Sequence, residues 1–222
     1  MTRLVLISDS HLRHDFSVPE GNVLIHGGDL SMSGAVWEVQ RALDWLQSLG
    51  FEHTVFVAGN HDKVTQDMPG LTRIMARDRG LTWLQDSGVE IEGIKIWGSA
   101  WTPTFFNWFW MAERGPEIAA KWAIIPDDTQ LLITHGPPRG HGDFSSYGNV
   151  NVGCEDLLAR VENLEALKLH AYGHIHGSYG WEQEAGYQGP IFVNASTVDE
   201  NYIPAHKPIV IETDPIWQVV YD

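Results

Sequence analysis

A chain of 222 residues can bury a substantial core, and 43% hydrophobic with 11% aromatic content excludes a disordered segment. A formal net charge of −15, from 14 Lys+Arg against 29 Asp+Glu, argues against gripping a nucleic-acid backbone, because the overall field repels polyanions. The lone Cys154 excludes an intrachain disulfide framework and a cysteine-based zinc site.

In chain order, Leu4 to Ile7 is a short apolar run that reads as a buried strand. Ser8-Asp9 ends it too early for a signal-peptide core or a membrane span, so the expectation is a cytoplasmic protein with no membrane partner. Val23-Leu24-Ile25 is a second strand. Val36, Val39, Leu43 and Leu46 fall on one helical face, with Ser33 as N-cap and Gly50 as stop. Thr54 to Val57 is a third strand, and this strand–helix–strand rhythm predicts an α/β layer with parallel strands. Val89 to Ile91 and Ile94 to Trp97 predict a hairpin around Glu92-Gly93. A helix follows from about Pro116 to Trp122, then strands at Leu131 to Ile133 and Leu167 to Tyr172, with Leu157, Leu158 and Val161 on a helix between them. From Ile191 to Val220 the chain reads as strands and turns. No linker interrupts residues 1–222, which are taken as one domain.

The residues just past the strand ends carry the chemistry. The segments are Asp9-Ser10-His11, Gly27-Gly28-Asp29, Gly59-Asn60-His61-Asp62, Thr134-His135-Gly136 and Gly173-His174-Ile175-His176-Gly177. Binding crevices of open α/β sheets lie at the carboxyl ends of strands, so five separate segments deliver ligand-type side chains to one rim. Carboxylate, imidazole and amide oxygen without thiolate suit Mn, Fe, Zn, Ni or Co.

In this order the blocks resemble the calcineurin-like metallophosphoesterases. Thr134-His135-Gly136-Pro137-Pro138, Val152-Gly153-Cys154-Glu155 and Asn194-Ala195-Ser196-Thr197 are most similar to the small metallophosphoesterase-domain (brain 239-like) subgroup. The resemblance implies a four-layer α-β-β-α sandwich with two mixed β-sheets. It also implies two divalent metal ions: one on Asp9, His11, Asp29 and His176, the other on the bridging Asp29 with Asn60, His135 and His174. His61 would contact phosphate, beside Asn60, and protonate the leaving group; Asp62 would orient His61 or be a solvated loop acid.

The expected activity is hydrolysis of small phosphodiesters, such as cyclic nucleotides, by a metal-bridging hydroxide. A phosphomonoesterase with the same centre is the alternative, and a scaffold that lost its chemistry a remoter one. Arg139 and His141 are further candidates for substrate phosphate, though loop positions make surface residues the better reading. The aromatic run Phe105, Phe106, Trp108, Phe109 and Trp110 reads as a hydrophobic plug or an oligomer contact in preference to a wall or lid on which a nucleobase stacks, His26 as packing, and Cys154 as structural.

Overall fold

Alternation of apolar residues along the first strand sets the layering. In a computed structural model, which describes residues 2–183 and 189–220, β1 is Arg3–Ile7. Its Leu4 and Leu6 join one core and its Val5 and Ile7 another, as the period-2 pleat requires. The first six-stranded sheet runs β16 (Gln218–Val220), β15 (Ile209–Glu212), β1, β2 (Val23–His26), β3 (His53–Phe56), β4 (Thr82–Trp83). β1 to β4 are parallel; β15 and β16 are antiparallel additions. The second runs β13 (Gly180–Glu182), β14 (Ile191–Asn194), β12 (Leu169–Tyr172), β9 (Leu131–Thr134), β6 (Ile94–Ser99), β5 (Ser87–Ile91). Its four inner strands are parallel and its two edges antiparallel.

Between the sheets lies one core that includes Leu4, Ile25, Val55, Ile133, Ala171 and Val193. On the outer face of the first sheet pack α1 (Val36–Ser48), α2 (Lys63–Asp67) and α3 (Pro69–Arg77). On the second pack α4 (Pro116–Trp122) and α5 (Glu155–Val161). The result is the four-layer sandwich with two mixed sheets. Two short ribbons, β7 (Thr102–Pro103) with β8 (Met111–Ala112) and β10 (Phe144–Ser145) with β11 (Val150–Asn151), rise beside it. No helix among the described residues is long and apolar enough to cross a membrane.

Local differences have local causes. Val39, Leu43 and Leu46 are fully buried, each contributing roughly 1.5–3 kcal/mol, so α1 is held chiefly by its face. Its N-cap is Ala35, not Ser33; the Ser33 amide and hydroxyl both donate to the Glu38 carboxylate, at 2.9 and 2.7 Å. Gly50 stops the helix in a left-handed conformation (φ 73°), as expected of a residue past the C-cap. Glu92 and Gly93, at φ 53° and 74°, make the tight turn between β5 and β6. Cys154 caps α5, its sulfur accepting from the Leu157 amide and the Trp122 indole, so it is structural. The helices α2 and α3 carry too short and too interrupted a pattern to be read in advance.

Candidate functional site

Side chains leave the carboxyl ends of β1, β2, β3, β9 and β12 and meet above the seam between the sheets. His11 Nε2 and His176 Nε2 are 3.4 Å apart, and His176 Nε2 is 3.5 Å from Asp9 Oδ1. His135 Nε2 lies 2.9 Å from Asn60 Oδ1 and 3.2 Å from His174 Nδ1. Asp29 stands between the two groups: its Oδ2 is 3.6 Å from His11 Nε2 and 3.4 Å from His135 Nε2. Asp9-His11-His176, Asp29-His135-His174 and His11-Asp29-His61 each have donor atoms close enough together to hold a metal ion.

The surroundings fix ring orientation. The Nδ1 atoms of His11, His135 and His176 each face a backbone carbonyl, of Ser31, Gly27 and Asp199, at 3.0 Å. A carbonyl only accepts, so each Nδ1 carries a proton and each Nε2 of a neutral ring turns a lone pair toward the carboxylates. Electron-pair donors thus face one another across about hydrogen-bond distance, an arrangement that a cation between them satisfies. The donor set therefore fits divalent metal.

Backbone geometry supports the gathering. Asp9, His11, Asp29 and His174 all have positive φ (53°, 44°, 54° and 69°), strain that a surrounding structure sustains at functional sites. Glycine beside these residues is a matter of space. A Cβ on Gly59 would sit 2.2 Å from Asp29 Oδ1, and one on Gly173 1.9 Å from Asp9 Oδ2. Asp9 also accepts from the Ser196 hydroxyl at 2.8 Å and from the His174 amide.

Electrostatics are set by the same packing. Burial raises the Asp9 and Asp29 carboxyls, but His176 at Asp9 and His135 at Asp29 outweigh it and hold both below the usual range. Burial depresses His135, yet the Asp29 charge overrides it and raises the imidazole. That negative field is the one a divalent cation would answer. Burial keeps His11 and His174 neutral, at about 4 and about 3, in the form that binds metal.

His61 is placed to reach the opening. Its amide donates to Asp29 Oδ1 at 2.8 Å, its Nδ1 donates to the Met32 carbonyl at 2.6 Å, and Trp108 lies tilted against the ring at 4.3 Å. Asp62 is neither a solvated loop acid nor set against the His61 ring. Fully buried, its carboxylate accepts from the amides of Leu30, Ser31 and Gly59 and from the Ser31 hydroxyl at 2.6 Å, bracing the loop after β2 against the loop after β3. Burial, then the Asp29 charge, pushes this carboxyl up to about 6.

The centre opens into a cleft of about 810 Å³, lined at its base by Asp29, Asn60, His61, His174 and His176. Its walls include Phe105, Phe106, Trp108, Tyr147, Tyr202 and Arg114. The aromatic run therefore divides: Trp110 is buried in the core, whereas Phe105, Phe106 and Trp108 face the cleft. Arg139 and His141 turn away from it. Arg139 donates to the Asn151 carbonyl at 2.8 Å, and His141 stacks on Phe192 while its Nδ1 lies 2.8 Å from Glu182. Arg114 is not legible from the sequence: it comes from the loop before α4, with its guanidinium on the Gly153 and Val152 carbonyls at 2.9 and 2.6 Å. Tyr202 is equally silent as a site residue, since no motif marks a contact made across the fold; Ser196 lies in the Asn194–Thr197 block, but nothing local assigns it the contact with Asp9. His26 is packing: its Nε2 meets the Ser10 hydroxyl at 2.9 Å.

A carboxylate–imidazole cluster at the strand ends of such a sandwich is a candidate metallophosphoesterase centre. The family model for calcineurin-like phosphoesterases matches residues 2–178, and the chain belongs to that family. Metallophosphoesterase domain-containing protein 1 of Homo sapiens and that of Mus musculus are each 36% identical over 233 residues, covering 95% of this chain and 71% of their own. A UPF0046 protein of Caenorhabditis elegans is 32% identical over 229 residues, covering 95% and 80%. One solved structure shares the fold at a TM-score of 0.72 over 99% of this chain and 98% of its own, with 12% identity. The protein TT1561 of Thermus thermophilus aligns at 0.56 over 87% and 88%, also with 12% identity.

Proposed function

We propose that the chain is a binuclear metal-dependent phosphoesterase acting on small phosphodiesters such as cyclic nucleotides. Asp9, His11, Asp29 and His176 hold one divalent cation; Asp29, Asn60, His135 and His174 hold the other. The observation that carries this reading is the position of Asp29, whose Oδ2 lies 3.6 and 3.4 Å from a nitrogen of each group. Divalent cations bound there would supply Lewis acidity for phosphoryl transfer to water near neutral pH. Manganese, iron, zinc, nickel and cobalt all suit this donor set.

The chain's own residues do the rest. Asp29 would offset repulsion between the cations. His61, with Nδ1 anchored on Met32, presents Nε2 to the cleft and protonates the departing alkoxide. Asp62 holds the Asp29–Ser31 and Gly59–Asp62 loops in register. Two features favour a diester over a monoester. The chain is acidic, at −15, and Glu200 lines the cleft, so a substrate with one negative charge meets less repulsion than one with two. A cleft of about 810 Å³ suits a small substrate better than a polymer.

The test strips the metal, reloads with Mn, Ni, Zn or Fe separately, and compares a model phosphodiester with a model phosphomonoester, followed by 2′,3′- and 3′,5′-cyclic nucleotides. Turnover should need metal, favour the diester, and fall by about a thousandfold or more in Asp29→Ala. Preference for the monoester would replace the substrate assignment; wild-type rates in Asp29→Ala would end the mechanism.

A further inference from the structure

Tyr202 has an unusual setting. It comes from the loop between β14 and β15, remote in sequence from every ligand block, yet its ring lies edge-on to three site histidines. The centroid distances are 4.8 Å to His11, 5.3 Å to His176 and 6.1 Å to His61. It lines the same cleft as Asp29 and Asn60, and its hydroxyl has no hydrogen-bond partner among the described residues.

Its backbone is strained to put it there. Tyr202 sits at φ 60°, a region costly for a bulky side chain and one that persists only where the surroundings over-determine it. They do so here. The Asp199 carboxylate accepts from the amides of Asn201 and Ile203, at 2.8 and 3.0 Å, and the Tyr202 amide donates to the Asp199 carbonyl at 3.0 Å. That same carbonyl receives His176 Nδ1, and Arg13 Nε donates to the Tyr202 carbonyl at 3.1 Å. One loop thus orients the His176 ring and places a phenol beside it.

We infer that Tyr202 is a substrate-contacting residue whose phenolic hydroxyl donates a hydrogen bond to a phosphoryl oxygen of the ester held over Asp29. A phenol ionises near pH ~10, so at neutral pH it is a donor able to stabilise anionic oxygen without adding charge. The inference rests on the phosphoesterase reading and names a further residue for the same site.

The test uses Tyr202→Phe, which keeps the ring and removes only the donor, in the manganese-loaded full chain. Three quantities are read: bound manganese with thermal midpoint, the affinity for inorganic phosphate by calorimetry, and kcat/KM on a model phosphodiester. Manganese content and midpoint should be unchanged, while phosphate affinity weakens about tenfold and kcat/KM falls about tenfold to a hundredfold. Tyr202→Asn, which tolerates a left-handed backbone, should weaken phosphate binding to a similar degree. Phosphate affinity and kcat/KM both within twofold of wild type would overturn the inference, as would loss of manganese in Tyr202→Phe. Weakened phosphate binding in Tyr202→Phe, beside a wild type that turns over no ester, would keep Tyr202 as a phosphate contact while refuting the function proposed above.

Discussion

The floor of the cleft and its rim are built in opposite ways. On the floor, Asp9, His11, Asp29, Asn60 and His135 are at most 3% exposed, follow directly from strands, and are fixed by carbonyls and amides. On the rim, Phe106 and Tyr147 are 76% and 80% exposed, belong to loops beside short ribbons, and touch edge-on across 6.4 Å. Chemistry that must be held to a fraction of an ångström sits on strand ends; contacts that accommodate a substrate's variable part sit on loops. Substitutions should therefore be sharply graded from floor to rim.

His61→Ala should have the largest effect outside the proposed metal ligands, a fall in kcat of about a hundredfold to ten thousandfold with metal content retained. Metal analysis of the purified variant separates this from ligation: loss of metal would make His61 a ligand, as its closeness to His11 and Asp29 allows. Next comes a stability effect beneath the floor. His170 is fully buried, and burial lowers its imidazole to about 3. Its Nε2–H donates to the Thr134 hydroxyl at 2.8 Å, because that hydroxyl donates to the Gly136 carbonyl. A folded-state value below the unfolded one means that the unfolded chain binds the extra proton. Stability is then complete above about pH 6.5 and declines as pH falls toward 3. His170→Gln keeps the donor without the titration, so the stability lost between pH 6 and 4 should shrink by about 2–3 kcal/mol in denaturant melts. An unchanged acid limb would show that other groups set it. Smallest should be Phe106→Ser at the rim: a change in KM of about threefold or less and an unaltered kcat on a model diester. A hundredfold loss there would erase the distinction between floor and rim.

The same division decides what is legible in the sequence. β1 is readable because Leu4 to Ile7 is apolar on both faces, as a parallel strand covered on two sides must be. Two of the strand-end blocks carry a further mark in the primary structure, glycine at 59 and 173, where a Cβ would strike the Asp29 and Asp9 carboxylates. Arg139 and His141 mislead for the complementary reason. Nearness to His135 in sequence says nothing about direction once the loop turns at Gly136-Pro137-Pro138. Arg114 and Tyr202 reach the cleft only through tertiary contacts, which no local pattern records. Asp62 draws notice for its neighbour and proves to brace the backbone of a loop about thirty residues away, at Leu30 and Ser31.

Metal stoichiometry tests the central claim most directly. Metal-free chain titrated with manganese, with bound metal counted after desalting, should take up two ions per chain in the wild type. Asp29→Ala should retain at most one, and its spin-resonance spectrum should lack the signature of an exchange-coupled pair. A single ion in the wild type, or two coupled ions in Asp29→Ala, would contradict the account.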